Sequence, residues 1–256
     1  MTGLRIGVLG AARITPKAVV QPASRSTAVS IVACAARDAQ RAEAFARKWD
    51  IPEAFDTYEA LVNAPEIDLI YNPLPINLHA AWTLKALAAG KHVLCEKPFA
   101  MNAGEAAAMI AAGEQHGRRV IEAFHYRYHP AFARLIEWLR GGELGAITSI
   151  EAHFNAPIAN VGGEIRHQVE TGGGAMMDLG CYCLHQILSV MNTKPVTIRA
   201  QARLTPQGVD ETMQATLTFA GGVTASIHTS MSDEFARASQ IKIVCDEGEV
   251  TLTNSV

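Results

Sequence analysis

A lysine occupies an odd place in the run "KHVLCEKPFAM" (91–101), where the apolar stretch Val93-Leu94-Cys95 breaks at once into Glu96-Lys97-Pro98. The proline biases the lysine backbone toward an extended form. Either the ammonium is held still at the end of a strand, or it lies in an ordinary solvent-facing turn. A second group of chemistry-bearing side chains falls in "TGGGAMMDLGCYCLH" (171–185), where three glycines precede Asp178, Tyr182 and His185. Spacings of four and three place all three on one face of an α-helix. They read as a capping acid with two half-buried polar residues, or as a site that the glycines open to close approach by a backbone or ligand. Ammonium, carboxylate, phenol and imidazole are the groups that move protons in catalysis.

Phosphate recognition is the second chemistry in view. The opening "LRIGVLGAARI" reads as a strand, a glycine turn and the start of a helix, which would let backbone N–H groups meet a pyrophosphate. As G-x-G-x-x-G the run Gly10-Ala11-Ala12-Arg13-Ile14-Thr15 keeps only its first glycine, with Gly10, Ala12, Arg13 and Ile14 the candidate contacts. The next strand ends Ala35-Ala36-Arg37-Asp38, with Arg41 one helical turn beyond Arg37. Two arginines there suit a ribose 2′-phosphate and predict NADP. NAD is the alternative, with Asp38 as the acid that binds the 2′-hydroxyl. Ligands in such folds gather at the carboxyl ends of strands. That rule adds Pro73, Leu74 and His79 from "YNPLPINLH", and Glu96 beside Lys97, to the expected cofactor contacts.

These groups need a scaffold, and the chain supplies two. Its 256 residues are 49% hydrophobic and 18% charged, enough for two modest packed cores. The first half alternates strand and helix signals. "AVSIVACAA", "IDLIYN", "KHVLCE" and "RRVIEAF" read as strands between the helical stretches "AQRAEAFARKW", "DTYEALVN", "LHAAWTLKALAAG" and "NAGEAAAMIAAGEQHG". Such alternation predicts an α/β unit with a doubly wound parallel sheet. The pattern changes near residues 122–126. After the amphipathic "PAFARLIEWLRGG" come period-two strands, "ETMQATLTF" turning through Gly221-Gly222 into "VTASIHTSM", and "QIKIVCD" paired with "EVTLTN". One face of that sheet is apolar and the other polar, so it should be covered on one side. The predicted domains are 1–123 and 124–256.

Composition narrows the partners. A net charge of −3 without any basic run speaks against nucleic acid and anionic membrane. No apolar stretch approaches the roughly 18 residues that span a bilayer. The start "MTGLRIGVLGAARI" lacks a charged leader with a cleavage site, and the five cysteines (34, 95, 181, 183, 245) lack ligand-like spacing. The expectation is a cytoplasmic protein with reduced thiols and no metal.

The pieces "AGKHVLCEKPF", "EAFHYRYHP", "GGGAMMDLGCYCLH" and "NPLP…LH", behind a β-α-β opening, resemble the glucose–fructose oxidoreductase / inositol dehydrogenase (Gfo/Idh/MocA) family over residues 5 to about 190. Within it, "AARDAQRA" and the tyrosine after "DLGC" are most similar to the NADP-linked dihydrodiol and xylose dehydrogenase branch. The resemblance implies an N-terminal Rossmann domain and a C-terminal α+β domain with an open, mostly antiparallel sheet. It further implies hydride transfer between a nicotinamide and a carbon of a sugar, polyol or diol. By the same resemblance Lys97 is the catalytic lysine, Asp178 the helix aspartate and Tyr182 the acid/base group. Arg166 and His185 become candidate substrate contacts beside these three, and His125 and Arg127 weaker ones. A homodimer or homotetramer through the C-terminal sheet is expected too.

Alcohol oxidation requires a base for the hydroxyl proton as hydride leaves. An ammonium about 4 Å from a phenol favours the phenolate by about 4 kcal/mol at an effective dielectric near 20, an upper figure that solvent would reduce. Two departures from the family pattern stand out. Pro75 is followed by Ile76, with Asn77 one place later, and the sequence stops at "TLTNSV" where relatives continue, as if shortened. Two rival readings are a redox-neutral glycosidase that uses NAD transiently and a non-catalytic NADP- and sugar-binding regulator.

Overall fold

The computed structural model describes residues 3–256. The first two residues of the opening segment, part of the stretch expected to lack a leader, lie outside that range. The chain divides into two compact units, Met1–Ala123 and Phe124–Val256.

In the first unit β1 (Leu4–Leu9), β2 (Val29–Ala35), β3 (Glu53–Phe55), β4 (Leu69–Asn72), β5 (His92–Cys95) and β6 (Val120–Glu122) form one sheet in the order β3-β2-β1-β4-β5-β6. All of its pairings are parallel. The uninterrupted apolar strands have a simple cause: both faces are buried. Leu9, Ala33, Ala35, Ile70 and Val93 pack on one side, and Val8, Cys34 and Tyr71 on the other. The strand order reverses between β1 and β4, which is the feature that opens a ligand crevice at the carboxyl ends of a doubly wound sheet.

Local caps set the helix starts. Asp38 accepts the Arg41 N–H at 2.8 Å to begin α2 (Ala39–Trp49), and Thr57 accepts the Ala60 N–H at 3.1 Å to begin α3 (Tyr58–Asn63). α4 (His79–Ala88) follows β4, with Gly90 at φ +76° just beyond its end. Asn102 accepts the Glu105 N–H at 3.0 Å ahead of α5 (Ala103–Gln115), while the Glu105 carboxylate accepts the Met101 N–H at 3.1 Å. That is a capping box displaced by one residue on its return arm. The first helix departs from a plain α-helix: a π turn over Pro16–Val20 precedes α1 (Gln21–Ala23), and Pro22 lies inside it. β3 was not read from the sequence, because three residues are too few to show a period.

The second unit contains α6 (Pro130–Gly141), β7 (Ile147–Asn155), α7 (Cys181–Met191), β8 (Thr197–Leu204), β9 (Asp210–Thr218), β10 (Thr224–Ser230), β11 (Ala238–Cys245) and β12 (Glu249–Thr253). Its sheet runs β12-β11-β7-β10-β9-β8, with β7 and β10 parallel and the other pairs antiparallel. Ile150, Ala152, Leu217, Ala225, Ile227, Ile241 and Ile243 form the covered face, packed with Phe132 and Leu135 of α6 and Cys183 and Ile187 of α7. Glu151, His153, Gln214, Thr216, Ser226 and His228 line a hollow on the opposite, polar face. β8 was also missed by the sequence reading. It alternates, but every one of its residues is exposed, so no buried face marks it.

The first unit carries a pH-sensitive tie. Arg5 donates from its backbone N–H and twice from its guanidinium to Asp68, at 2.9, 2.9 and 2.8 Å, joining the start of β1 to the approach to β4. These bonds hold the Asp68 carboxyl down at about 2. A depressed folded-state value gives stability that is present above the unfolded value and lost as pH falls through the folded one. Asp68→Asn should therefore flatten the acid limb of the stability curve between about pH 4 and 2, as measured by urea denaturation across that range. An unchanged limb would contradict this assignment.

Candidate active-site residues

Gly10 ends β1 at φ +84°, and a Cβ added there would lie 3.0 Å from Leu74 Cδ2 and 3.8 Å from the Tyr58 hydroxyl. A side chain there would press on Leu74 and the positive φ favours glycine, so the turn carries no side chain of its own. Behind it the Thr15 hydroxyl is fully buried and has no hydrogen-bond partner among the described residues. Ala12 is half-buried, and Arg13 and Ile14 are exposed on the way into the π turn. Arg41 reaches back to the Ala11 carbonyl at 3.3 Å, so the helix after β2 is tied to the glycine turn. Arg37, Asp38 and Arg41 are all exposed. One Asp38 oxygen is engaged in capping α2, and both guanidinium charges act on Tyr58, whose ionisation burial pushes up. A bare glycine turn with two arginines at the end of the neighbouring strand fits a phosphorylated dinucleotide.

The loop after β4 is built around an amide and an imidazole. Asn72 is fully buried and donates to the His79 carbonyl at 3.2 Å and to Thr83 Oγ1 at 3.3 Å. The His79 ring, also buried, lies between two backbone carbonyls: Nε2 is 2.7 Å from Leu74 O and Nδ1 is 3.0 Å from Pro98 O. Burial lowers its pKa against the pull of those carbonyls. A neutral ring donates to one of them and an imidazolium to both. Pro73 and Leu74 are thereby fixed over the glycine turn. His79, expected on the cofactor, has both nitrogens engaged by the protein.

His79 also touches the turn that carries the lysine. The Lys97–Pro98 peptide is cis. Glu96 N–H donates to Asn72 O at 3.0 Å, and the Glu96 carboxylate accepts the buried Tyr71 hydroxyl at 2.7 Å and the Lys97 N–H at 3.2 Å. On the far side Phe99 N–H donates to Glu122 at 2.9 Å. Lys97 itself is half-buried. The residues on either side of Lys97 are anchored to β4, to β6 and to His79.

In the second unit the glycine cluster serves close approach within the protein. A Cβ on Gly173 would fall 2.5 Å from Arg166 O, and Gly174 (φ +121°) abuts Asp210, which accepts the Met176 N–H at 2.6 Å. Asp178 then lies in a π turn, Met176–Gly180, ahead of α7. The single-face spacing read from the sequence assumed an α-helical period, so it does not describe the step from Asp178 to Tyr182. The wide turn coincides with Gly180, whose missing side chain leaves room for Met176 and Thr229. Asp178 pairs with Arg166 at 2.9 Å, and Arg166 also binds Glu164 at 2.9 Å. Arg166, a candidate substrate contact, thus bridges two carboxylates.

Tyr182 is 7% exposed. Its ring is surrounded edge-on by Phe124 at 5.3 Å, Phe154 at 5.6 Å and His125 at 6.1 Å, with Tyr126 at 6.1 Å. His185 stacks on Phe124 with centroids 4.1 Å apart, and its Nδ1 shares a short hydrogen bond with the Tyr126 hydroxyl. Burial, reinforced by the Arg127 charge, brings His185 down to about 4, so it is neutral at ordinary pH. Tyr71, Asn72, Glu122, Glu164 and Tyr126 were not singled out from the sequence, although the first three lie at carboxyl ends of strands where ligands gather. Among the described residues no group of three or more His, Cys, Asp or Glu is placed to hold a metal ion. No helix there is long and apolar enough to cross a membrane.

Comparison with known proteins agrees with this architecture. Residues 4–124 match the model described as "Oxidoreductase family, NAD-binding Rossmann fold", and residues 132–251 match the GFO/IDH/MocA C-terminal domain. The chain is 37% identical over 227 residues to D-xylose 1-dehydrogenase (NADP(+)) 2 of Haloferax volcanii, covering 89% of this chain and 69% of that one. It is 38% identical over 212 residues to trans-1,2-dihydrobenzene-1,2-diol dehydrogenase of Sus scrofa, covering 82% and 63%. A crystal structure of a 3-ketoreductase from Actinomadura kijaniata, in complex with NADP and TDP-benzene, superposes with a TM-score of 0.90 at 30% identity over 99% of this chain and 77% of that one. The chain spans about two thirds to three quarters of the length of these relatives. With both halves matched in order, the chain belongs to the GFO/IDH/MocA family of oxidoreductases.

Proposed function

We propose that this oxidoreductase moves hydride between NADP and a secondary alcohol or carbonyl carbon of a sugar, polyol or diol. The observation that carries the reading is the anchored turn around Lys97, on the same sheet edge as the bare Gly10 turn. Relatives named as a xylose dehydrogenase, a dihydrodiol dehydrogenase and a ketoreductase support the substrate class.

When bound, the nicotinamide supplies the hydride acceptor or donor. The chain's own residues do the rest. Gly10, Ala12, Arg13 and Ile14 bind the pyrophosphate with backbone groups, Arg37 and Arg41 bind the 2′-phosphate, and Pro73 and Leu74 wall the ring end. Glu96 and His79 keep the Lys97 turn in place. Lys97 and Tyr182 are the side chains assigned to hold and move the hydroxyl proton. Asp178, aligned by Arg166, orients the substrate hydroxyls, and the aromatic ring set around Tyr182 keeps water from the phenol.

The chain also carries an exposed edge strand, β8, whose Val196, Ile198 and Leu204 neighbourhood is 61–65% exposed, beside a polar open face with Glu151 and Arg199. A second copy of this chain is the occupant proposed for that face, since each surface offers both charges to its twin. Light scattering should find a dimer or tetramer, and Ile198→Glu with Leu204→Glu should give a monomer. A monomeric wild type would exclude the assembly.

The activity is tested by screening sugars, polyols and diols for NADP reduction at 340 nm. Lys97→Met should cut turnover to a small residual rate while leaving NADP affinity intact, and Tyr182→Phe should lower the maximal rate and remove its alkaline-side pH dependence. Normal turnover in Lys97→Met would overturn the assignment. For the cofactor, Arg37→Ala with Arg41→Ala should weaken NADP by about 10–100-fold, the loss of one or two charged hydrogen bonds, and leave NAD unaffected. Equal losses for both cofactors would remove the 2′-phosphate role.

A further inference from the structure

Glu122, the last residue of β6, is a half-buried carboxylate that the proposed reaction leaves unused. It lies across from Cys95 in the register of β5 and β6. Its Oε1 accepts the Phe99 N–H at 2.9 Å, and the adjacent Ala123 N–H donates to Cys95 O at 2.8 Å. The residues that bracket Glu96-Lys97-Pro98, Cys95 before and Phe99 after, are therefore both fastened to the dipeptide Glu122-Ala123. Cys95 closes the loop from inside, its thiol 3.7 Å from Phe99 O.

Few groups in this unit face the carboxyl. Lys97 and Glu96 on the turn act on it by charge. The Cys95 thiol is buried on β5, and burial raises its pKa so far that it stays neutral. His79 reaches the same turn through the Pro98 carbonyl. Burial pushes Glu122 up to about 7, opposed by the Phe99 amide and the Lys97 ammonium and assisted by Glu96. An ionised Glu122 makes a charge-assisted bond to the Phe99 amide and attracts Lys97; a protonated one does the first weakly and the second not at all.

We propose that Glu122 is a positioning residue for Lys97, clamping the chain just beyond the Lys97–Pro98 peptide and placing a titratable negative charge beside the ammonium. The inference rests on the catalytic reading of Lys97 given above. It makes the working geometry of the lysine depend on pH around neutrality through a group that touches neither substrate nor cofactor.

Two variants separate the clamp from the charge. Glu122→Gln keeps an oxygen for the Phe99 N–H without the charge, and Glu122→Ala removes both. In the full-length protein, Glu122→Ala should lower kcat about a hundredfold, the scale of a misplacement of about 1 Å at a reacting group, with NADP affinity little changed. Glu122→Gln should recover most of that loss. Independently of turnover, lysines can be reductively methylated with 13C-formaldehyde and the Lys97 signal assigned by its loss in Lys97→Arg. That signal should shift with a midpoint near pH 7 in the wild type and stay flat there in Glu122→Gln. The idea fails if Glu122→Ala keeps wild-type kcat, if kcat and NADP affinity fall in proportion, or if Lys97 titrates alike in wild type and Glu122→Gln. If no substrate is found, it is the catalytic reading that fails, and the Lys97 titration still decides the placement of Glu122. Should Glu122→Ala not fold, the same titration decides.

Discussion

A lysine is a point charge on a flexible four-carbon stem, and using one for chemistry means first removing its freedom. Here the backbone does that. Asn72 O holds the Glu96 amide, Glu122 holds the Phe99 amide, and the His79 ring meets the Pro98 carbonyl. Two parallel strands and the first residue of α4 thus fix Glu96, Pro98 and Phe99, the residues around Lys97. Pro98 has no N–H to satisfy, so a proline is tolerated where an ordinary residue would leave a buried donor. The abrupt change from Val93-Leu94-Cys95 to Glu96-Lys97-Pro98 records this boundary between the buried ladder and the anchored turn.

The same economy is visible in the second unit. Gly173 and Gly174 let the Arg166 and Asp210 segments lie against the chain that enters the π turn. Arg166 then has a fixed path to Asp178, with Glu164 on its other side. An arginine shared by two carboxylates orients both. Tyr182 receives a different treatment, an aromatic enclosure from Phe124, His125, Tyr126 and Phe154. Carboxylate and phenol sit a few residues apart in sequence in opposite dielectric settings, one in an ion cluster and the other among rings.

What could be read from the sequence was mostly what is local. Helix caps are local in the same way, since Asp38, Thr57 and Asn102 each accept the N–H three residues on. The two-sided strands and the one-sided sheet follow from hydrophobic period alone, and the lysine motif was found because a charge interrupts such a run. Distant partners were not legible. Tyr71 finds Glu96 25 positions away and Phe99 finds Glu122 23 positions away, and neither pairing leaves a trace in spacing. The π turn under Asp178 depends on Gly180 meeting Met176 and Thr229, a tertiary circumstance that an α-helical wheel cannot anticipate. His79 looked like a cofactor contact because it follows a strand end, whereas its nitrogens are engaged by two carbonyls that shape that end. β8 alternates without burying either face, so periodicity gave it no weight.

The central proposal is that Lys97 and Tyr182 both serve the transfer of the substrate's hydroxyl proton. A double-mutant cycle measures that directly: the rate of NADPH formation in Lys97→Met, in Tyr182→Phe and in the combined variant, each saturated with NADP. Residues that work as a unit are strongly non-additive. The account predicts that the combined variant is no slower than the slower single variant. Losses that multiply would show two independent contributions and contradict it.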